Sequence, residues 1–486
     1  MNALRGVLTV VVLSLLLFLP VFAVCFRISA AVVQDPDVWW HLRTGDWIRA
    51  HGAAPQFDTF SAAKPEAVSP QEGMPWVDYS WAAQLVLSGF RRAFGLRGLV
   101  VCTAILFLAI VLAFHFLVRR MQQNLLLSAL LTLAVTEGIM PLAMPRPWLF
   151  SMLFFLIELN LLLEAGRTAR PRLLLLLVPL FCLWANVHIQ FIFGLLVLAA
   201  AVVEPLLAPW VPLRLDGESS AISPRWLLLV LGLCCGATLL NPYHAGLYAT
   251  AWQLREQLWN VISESMAMPF DCVANWTVLA AALAGTVAIA LRRPVRLLLV
   301  LLFPAAIYSS FRAQRDVWLL LIVGLSLVAS MSRGLPLVST RLTFRTRWAV
   351  ATVLAVLVLG SLLTLDEARL EAQVARIYPA HAVVFLRQGR YDGPLYNTFN
   401  WGGYLIDQYR EHPVSIDGRT LVHGVARTLH SVKMQFGEEG WQADPELLAA
   451  RLFILPRKEA IALLLRLDRR YEIVYEDAVA VVFVRK

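Results

Sequence analysis

Residues 35–42 read Asp35-Pro36-Asp37-Val38-Trp39-Trp40-His41-Leu42. Carboxylates, indoles and an imidazole this close together are the side-chain types of group-transfer chemistry. Pro36 fixes its own φ and disfavours a helical residue before it, so the segment is predicted to be extended. Residues two apart in an extended segment share a face, which would set Asp35 and Asp37 side by side. Such a pair can hold a divalent cation, or one carboxylate can act as general base while the other orients. Trp39 and Trp40 can stack on a sugar ring or a lipid headgroup, or anchor at a membrane interface. His41 can bind phosphate or help hold a metal. The bland alternative is a pair of solvated loop acids.

Further along, Arg146 stands between Pro145 and Pro147, and Arg312 and Arg315 precede Asp316. Guanidinium forks bind phosphate oxygens in pairs, so these arginines suit a lipid-linked phosphate or pyrophosphate. Snorkelling and ordinary ion pairs, such as Arg315–Asp316, are the competing use. His188 with Asn186, and His244 with Asn241, fall at helix ends, although Asn241-Pro242 also reads as a turn. Glu137, Glu158, Glu164 and Glu204 interrupt apolar runs and should face the bundle or a headgroup region. In the last third, Gly402-Gly403 permit tight turns near aromatics, and Asp417 with Arg419 can close a turn or touch a ligand.

The elements that position these residues are mostly apolar. Of 486 residues, 59% are hydrophobic and 15% charged, against about 25% charged in soluble domains. Mean hydropathy is +0.66. Apolar runs of about 17–25 residues predict membrane-spanning segments, which lipid requires to be helical. Candidate spans are 7–26, 99–118, 125–143, 148–165, 173–187, 189–208, 226–240, 273–291, 297–310, 317–331 and 348–365, about eleven in all. The first lacks a small-x-small cleavage pattern and reads as a retained helix. The net charge of +9 comes without a Lys/Arg tract interleaved with aromatics, which excludes nucleic-acid binding as a function class. The six cysteines form neither a CxxC pattern nor a disulfide framework and suit apolar packing.

Arginines fix the expected orientation. Arg119-Arg120, Arg167/Arg170/Arg172, Arg214/Arg225, Arg292-Arg293/Arg296 and Arg333/Arg341/Arg345/Arg347 fall in one set of loops. Placed inside, they put the N-terminus in the cytoplasm and the C-terminus outside. Every polar cluster above then lands on the outer side. Residues 79–94 predict an amphipathic interfacial helix, with Trp81 as anchor and Arg91-Arg92 on the wet side. After residue 365 the composition becomes mixed and charged, enough for one small α/β domain. Its expected elements are helices at 380–388, 447–451 and 458–469, strands at 414–416 and 452–455, and a hairpin over 471–484. The expected division is a membrane domain, 1–365, including the outer loop 27–98, and an extracytoplasmic α/β domain, 366–486.

The run Asp35-Pro36-Asp37-Val38-Trp39-Trp40-His41-Leu42, followed by Gly45, Gly52, Pro55, Asp58 and Ser61, resembles the first outer loop of bacterial GT-C superfamily glycosyltransferases. The resemblance is to their mannosyltransferase-like, protein-mannosyltransferase-like branch. Arg146-Pro147, Trp184-Ala185-Asn186-Val187-His188, Leu240-Asn241-Pro242, Arg312/Arg315-Asp316, Tyr396-Asn397, Trp401-Gly402-Gly403-Tyr404 and Ile416-Asp417-Gly418-Arg419 fit the same branch. The resemblance implies a polytopic α-helical GT-C-like protein of the bacterial inner membrane. It implies a polyprenyl-phosphate-linked sugar as donor, an envelope glycan, lipid or protein as acceptor, and inversion at the anomeric carbon. Asp35 or Asp37 would be the general base, or a ligand of Mg or Mn as in metal-dependent relatives. Trp39, Trp40, His41, Arg146, His188, His244, Arg312 and Arg315 are the candidate substrate-binding residues; the arginine roles rest on charge and topology.

No GxGxxG, Walker or GxSxG motif is present, which argues against a cytoplasmic nucleotide-sugar donor. Two other classes compete. A transporter or flippase for lipid-linked glycan calls for polar residues deep in the bundle and repeated halves, and no repeat is visible. A non-catalytic envelope scaffold would be indifferent to loss of Asp35 and Asp37.

Overall fold

Apolar patterning becomes helix along most of the chain. The computed structural model describes residues 34–62, 73–211, 213, 222–257, 263–291, 294–331, 365–389 and 391–486. The expected spans 7–26 and 348–365 lie outside these residues, apart from Leu365. Contacts divide the chain into two units that interleave in sequence. A helical unit comprises the described parts of Val100–Ala245 and Ile262–Leu365, and a sheet unit comprises Ala30–Leu99, Gly246–Val261 and Asp366–Lys486. The expected division at residue 365 had assigned the outer loop to the membrane helices; by contacts, Ala30–Leu99 groups with the C-terminal segment.

The helices before the C-terminal segment are α1 (Val38–His51), α2 (Trp81–Phe94), α3 (Leu96–Met121), α4 (Leu125–Ile139), α5 (Trp148–Thr168), α6 (Leu177–Val187), α7 (Phe191–Leu207), α8 (Pro224–Thr238), α9 (Gly246–Gln257), α10 (Val273–Ala290), α11 (Leu297–Arg312) and α12 (Val317–Met331). Five of the helices among the described residues are long and apolar enough to cross a membrane: Leu96–Met121, Trp148–Thr168, Phe191–Trp210, Val273–Ala290 and Gln314–Met331. Four shorter apolar helices, Leu126–Leu142, Pro171–Val187, Pro224–Thr238 and Leu297–Arg312, match the remaining expected spans between 99 and 331. At the centre of the helical unit, α12 is buried along nearly its whole length and packs against α4, α10 and α11. Gly324 lets α12 approach α10, where an added Cβ would sit 2.9 Å from the Ala281 carbonyl oxygen. The acidic residues in the apolar runs turn inward or pair: Glu158 is fully buried, Glu204 accepts the Leu298 amide at 2.9 Å, and Glu164 pairs with Arg120 at 2.5 Å.

In the sheet unit, α1 packs on α2. The approach is tight enough that a Cβ at Gly45 would meet Ser88 Cβ at 2.7 Å. The C-terminal segment adds α13 (Glu367–Ile377), α14 (Ala380–Gln388), β1 (Leu395–Asn397), α15 (Phe399–Gln408), α16 (Thr420–His423), α17 (Val425–Gln435), α18 (Pro445–Ala449), β2 (Leu452–Pro456), α19 (Ala460–Leu467), β3 (Tyr471–Glu476) and β4 (Ala480–Arg485). Its four-stranded sheet has the order β1-β2-β4-β3. β1 runs parallel to β2, in register Tyr396 with Phe453, and the other pairs are antiparallel. Helix α19 closes one face with Ile461, Ala462 and Leu465 against Phe453, Leu455 and Phe483. The expected strand at 414–416 reduces to a single parallel bridge, Ser61 to Val414. Through it the loop before α2 joins the C-terminal segment, with Ala62 donating to the Val414 carbonyl and Val414 to the Phe60 carbonyl.

Candidate functional site

The acidic loop does not run extended. Asp37 has helical dihedrals, φ −86° and ψ −18°, and starts α1 directly. Pro36 stands one residue before the helix, with Asp37 as the N-cap, so it precedes the helical hydrogen bonds without interrupting them. The two carboxylates therefore differ in environment. Asp35 is 2% exposed, and its Oδ1 accepts the backbone N–H of Asp37 at 3.0 Å. Asp37 is half-buried, and its side chain makes no capping bond to α1.

Two glycines of the C-terminal segment cradle this loop. A Cβ at Gly403 would lie 2.5 Å from the Pro36 carbonyl oxygen, and one at Gly418 would lie 3.0 Å from the Asp37 carboxyl carbon. Gly402 admits Asp417 in the same way, its added Cβ meeting Asp417 Cα at 2.7 Å. The glycine pair was expected in a turn; it sits inside α15, where the absent side chains permit close approach instead.

Behind the cradle lies a buried ionic cluster. Arg419 donates from Nε to Asp417 Oδ1 at 2.8 Å and from Nη2 to Asp417 Oδ2 at 2.7 Å. Its Nη1 reaches Asp58 Oδ1 at 2.6 Å. His423 Nε2 lies 2.8 Å from Asp417 Oδ2. Asp58 in turn accepts the Phe60 and Ser61 amides and the Ser61 hydroxyl. The guanidinium also stacks over Trp76 and Phe60, 4.9 and 5.2 Å from their centroids. Burial alone would raise the Asp417 carboxyl, but Arg419 and His423 hold it well below the usual carboxylate range. Burial likewise opposes the Arg419 charge, and Asp417 with Asp58 more than restores it. The sequence pattern marks Asp58, Asp417 and Arg419 without linking them, and it does not mark His423.

Trp39 and Trp40 are committed to packing, at 2% and 7% exposed, in place of the expected open aromatic faces. Trp39 meets Tyr378 and Tyr404 edge-on at 5.5 and 5.0 Å, and Tyr378 stacks on Tyr404 at 4.9 Å. The Trp40 ring lies 3.7 Å from the buried imidazole of His41. Arg91, expected on a wet face, is drawn in to Asp407 at 2.5 Å, with the Asp407 side chain fully buried.

The helical unit carries a second polar cluster. Trp184 Nε1 donates to Ser151 Oγ at 2.8 Å, and that hydroxyl lies 2.8 Å from His188 Nδ1. Burial, then the charges of Arg315 and Arg146, push the His188 imidazole down to about 3, so near neutrality it offers a hydrogen bond rather than charge. Arg146 lies 3.9 Å from Glu264 and stacks over Trp148 at 5.1 Å. Gln190, which sequence reading passed over, donates to Asp316 Oδ1 at 2.8 Å. Arg312 ends α11, and Arg315 lies in the short turn Gln314–Asp316 that follows. His244 belongs to a different feature: it is exposed, adopts φ 48°, and sets Nδ1 3.1 Å from the Leu239 carbonyl in a turn closed by Asn241.

Asp35 and Asp37 offer two carboxylates to a metal. Among the described residues no group of three or more His, Cys, Asp or Glu side chains is placed to hold one. Two carboxylates do not make an all-protein cation site, but they are the number that holds Mg²⁺ together with substrate phosphate oxygens, so Asp35 and Asp37 are the residues that would hold such an ion.

No protein-family model and no curated protein matches this sequence. Its fold does have solved counterparts. The oligosaccharyltransferase AglB from Archaeoglobus fulgidus, in complex with an inhibitory peptide and a dolichol-phosphate, matches with a TM-score of 0.53 at 10% identity, over 90% of this chain and 69% of AglB. ArnT from Cupriavidus metallidurans in the apo state matches with a TM-score of 0.51 at 13% identity, over 99% of this chain and 98% of ArnT. ArnT bound to undecaprenyl phosphate gives 0.50, over 98% and 97%. At such identities the likeness is one of fold alone: this chain shares with AglB and ArnT a mostly helical fold, and among its described residues five helices are long and apolar enough to cross a membrane.

Proposed function

We propose that this protein is a membrane glycosyltransferase that moves a sugar from a polyprenyl-phosphate carrier to an envelope acceptor at the outer face of the bacterial inner membrane. The observation that carries the reading is the acidic loop: Asp35 and Asp37 are held in a fixed shape by Gly403 and Gly418, whose missing side chains make the room. The fold shared with AglB and ArnT supports the same class of reaction.

In this reading Asp37 is the general base. A half-buried carboxylate at a helix start can accept a proton from an acceptor hydroxyl. The freed oxygen pair forms a bond to the anomeric carbon while the bond from that carbon to the phosphate oxygen breaks. The leaving polyprenyl phosphate keeps that electron pair, and a single displacement inverts the centre. Asp35, tied to the Asp37 amide, is a positioning residue. The helical unit separately carries Arg146, Arg312 and Arg315, whose charges suit a phosphate group, and His188, which is uncharged near neutral pH and can offer a hydrogen bond. Trp39, Trp40 and His41 support the loop from within the sheet unit.

The test is transfer by the purified protein, in detergent, from a panel of polyprenyl-phosphate sugars. Asp37→Asn should lose about 10²–10⁴-fold in kcat, the range for loss of a general base, with its melting temperature kept. Asp35→Asn should lose less. Full transfer by both variants would overturn the assignment.

A further inference from the structure

Away from the acidic loop, the sheet unit holds a cleft of about 250 Å³ whose lining includes Arg43, Trp47, His51, Phe60, Arg410 and His412. Arg43, Trp47 and His51 recur at four-residue spacing along α1, so they form one stripe on one helix face. Arg410 and His412 follow the end of α15, and Phe60 comes from the loop before α2.

The charges in this region are unequal. Asp407 is shared by Arg91 at 2.5 Å and Arg410 at 3.4 Å, and Asp46 by Arg410 at 3.7 Å and Arg92 at 3.9 Å. Arg43 makes neither a hydrogen bond nor an ion pair among the described residues; its neighbour is the Phe60 ring, 5.8 Å from Cζ. Burial, and next the charge of Arg410, hold the Arg43 guanidinium below its ordinary range. The carboxylates of Asp407 and Asp46 act on Arg43 from a distance without offsetting this, so a half-buried cation with no carboxylate in contact remains, and an anionic ligand would stabilise it.

The rest of the lining is aromatic. Trp47 stacks on His51 at 4.0 Å, and His412 stacks on Tyr409 at 4.8 Å. Flat rings beside forked donors suit a ligand with both an anionic group and a ring face. The cleft also leaves room for more than a lone phosphate ion.

We propose that this cleft binds an anionic saccharide, with a phosphate or carboxylate against Arg43 and Arg410 and the sugar ring against Trp47. Arg43 is six residues beyond Asp37, about 9 Å along the helix axis at 1.5 Å per residue. Six residues also turn the helix through about 600°, so the cleft opens on a different face of α1 from Asp37, and binding there does not depend on the transfer reaction proposed above.

The experiment uses the full-length protein in detergent and measures binding of four probes by calorimetry and saturation-transfer NMR. These are glucose 6-phosphate, glucuronate, glucose and inorganic phosphate. The expected order places glucose 6-phosphate and glucuronate at least about tenfold tighter than glucose or inorganic phosphate, one such step being about 1.4 kcal/mol. Arg43→Met keeps the stem over Phe60 and should weaken both acidic sugars about tenfold with an unchanged melting temperature. Trp47→Ala should weaken the acidic sugars and leave inorganic phosphate as it was. Equal binding of inorganic phosphate and glucose 6-phosphate would reduce the cleft to a simple anion site and overturn the saccharide assignment. Binding indifferent to Arg43→Met would overturn the site itself. Asp37→Asn separates the two proposals, because it should lower transfer by about 10²–10⁴-fold while leaving acidic-sugar binding intact.

Discussion

Asp35 and Asp37 share a chemical type and a motif but not an environment. The residue types were legible in the sequence; the division of labour was not, because it depends on the Asp37 amide turning back onto Asp35. The same holds for Arg419, whose partner Asp58 lies 361 residues away in the chain, beyond any local pattern. Asp78 is the residue where pH should expose such hidden environments. It is 2% exposed and hydrogen-bonded to Gln84 at 2.7 Å. Burial raises its carboxyl to about 7, against the pull of the Ser80 amide, Gln84 and Arg419. In the unfolded chain it loses its proton near pH ~4. Between those values the unfolded state binds fewer protons than the folded one, so stability falls as pH rises through that window. The loss approaches about 1.4 kcal/mol for each pH unit. Asn at this position can still accept from Gln84 and stays neutral. Asp78→Asn should therefore flatten melting temperature against pH between about 4 and 7, and melt higher than the parent at pH 8. An unchanged slope would show that Asp78 is ionised in the folded protein.

Elements were most legible where one pattern decided them. Long apolar runs gave the helices of the helical unit, and the 452–455 strand, the 458–469 helix and the terminal hairpin were each found within a few residues. They failed where a contact overrides local propensity. Pro36 reads as holding residues 35–37 extended, but Asp37 directly after it is helical and caps α1, and Gly402-Gly403 read as a turn but lie within α15. Gly403→Ala separates propensity from contact. In an isolated helix the change gains about 1 kcal/mol. Here the added methyl would press on the Pro36 carbonyl oxygen at 2.5 Å and on Trp40 Cδ1 at 3.2 Å, and backbone cannot retreat as a flexible side chain can. The expected result is a lower melting temperature and at least about a tenfold loss of transfer, a displacement of the loop by a fraction of an ångström being enough to spoil a base's reach. A more stable variant with full activity would mean that the loop is not gripped there.

At the scale of the molecule, the interleaving of the units decides what the C-terminal segment does. Sequence composition changes sharply near residue 365, which marks it as a separable domain. The contacts of Ala30–Leu99 argue otherwise. Trp39 packs on Tyr378 and Tyr404, Asp58 neutralises Arg419, Arg91 pairs with Asp407, and Glu367 accepts the Leu96 and Arg97 amides at the start of α3, at 2.6 and 3.1 Å. Composition cannot report such pairings, because each joins residues hundreds of positions apart. A chain ending at residue 365 would strip every one of these partners. Asp58 and Arg91 would lose their counter-charges together with the segment that covers them. Trp39 would be opened to solvent, at about 1.5–3 kcal/mol for a large apolar side chain. Losses of that size at several positions are a large part of a typical domain's stability, about 5–15 kcal/mol. The truncated protein should still enter the membrane through its apolar helices, but limited proteolysis should cut it within residues 30–99, where the full-length protein resists, and it should transfer no sugar. Re-supplying 366–486 as a separate chain should restore protection only if the pairings re-form. A protease-resistant 30–99 segment in the truncated protein would show that this region folds on α1 and α2 alone, and that the C-terminal segment is an addition to the site rather than part of its frame.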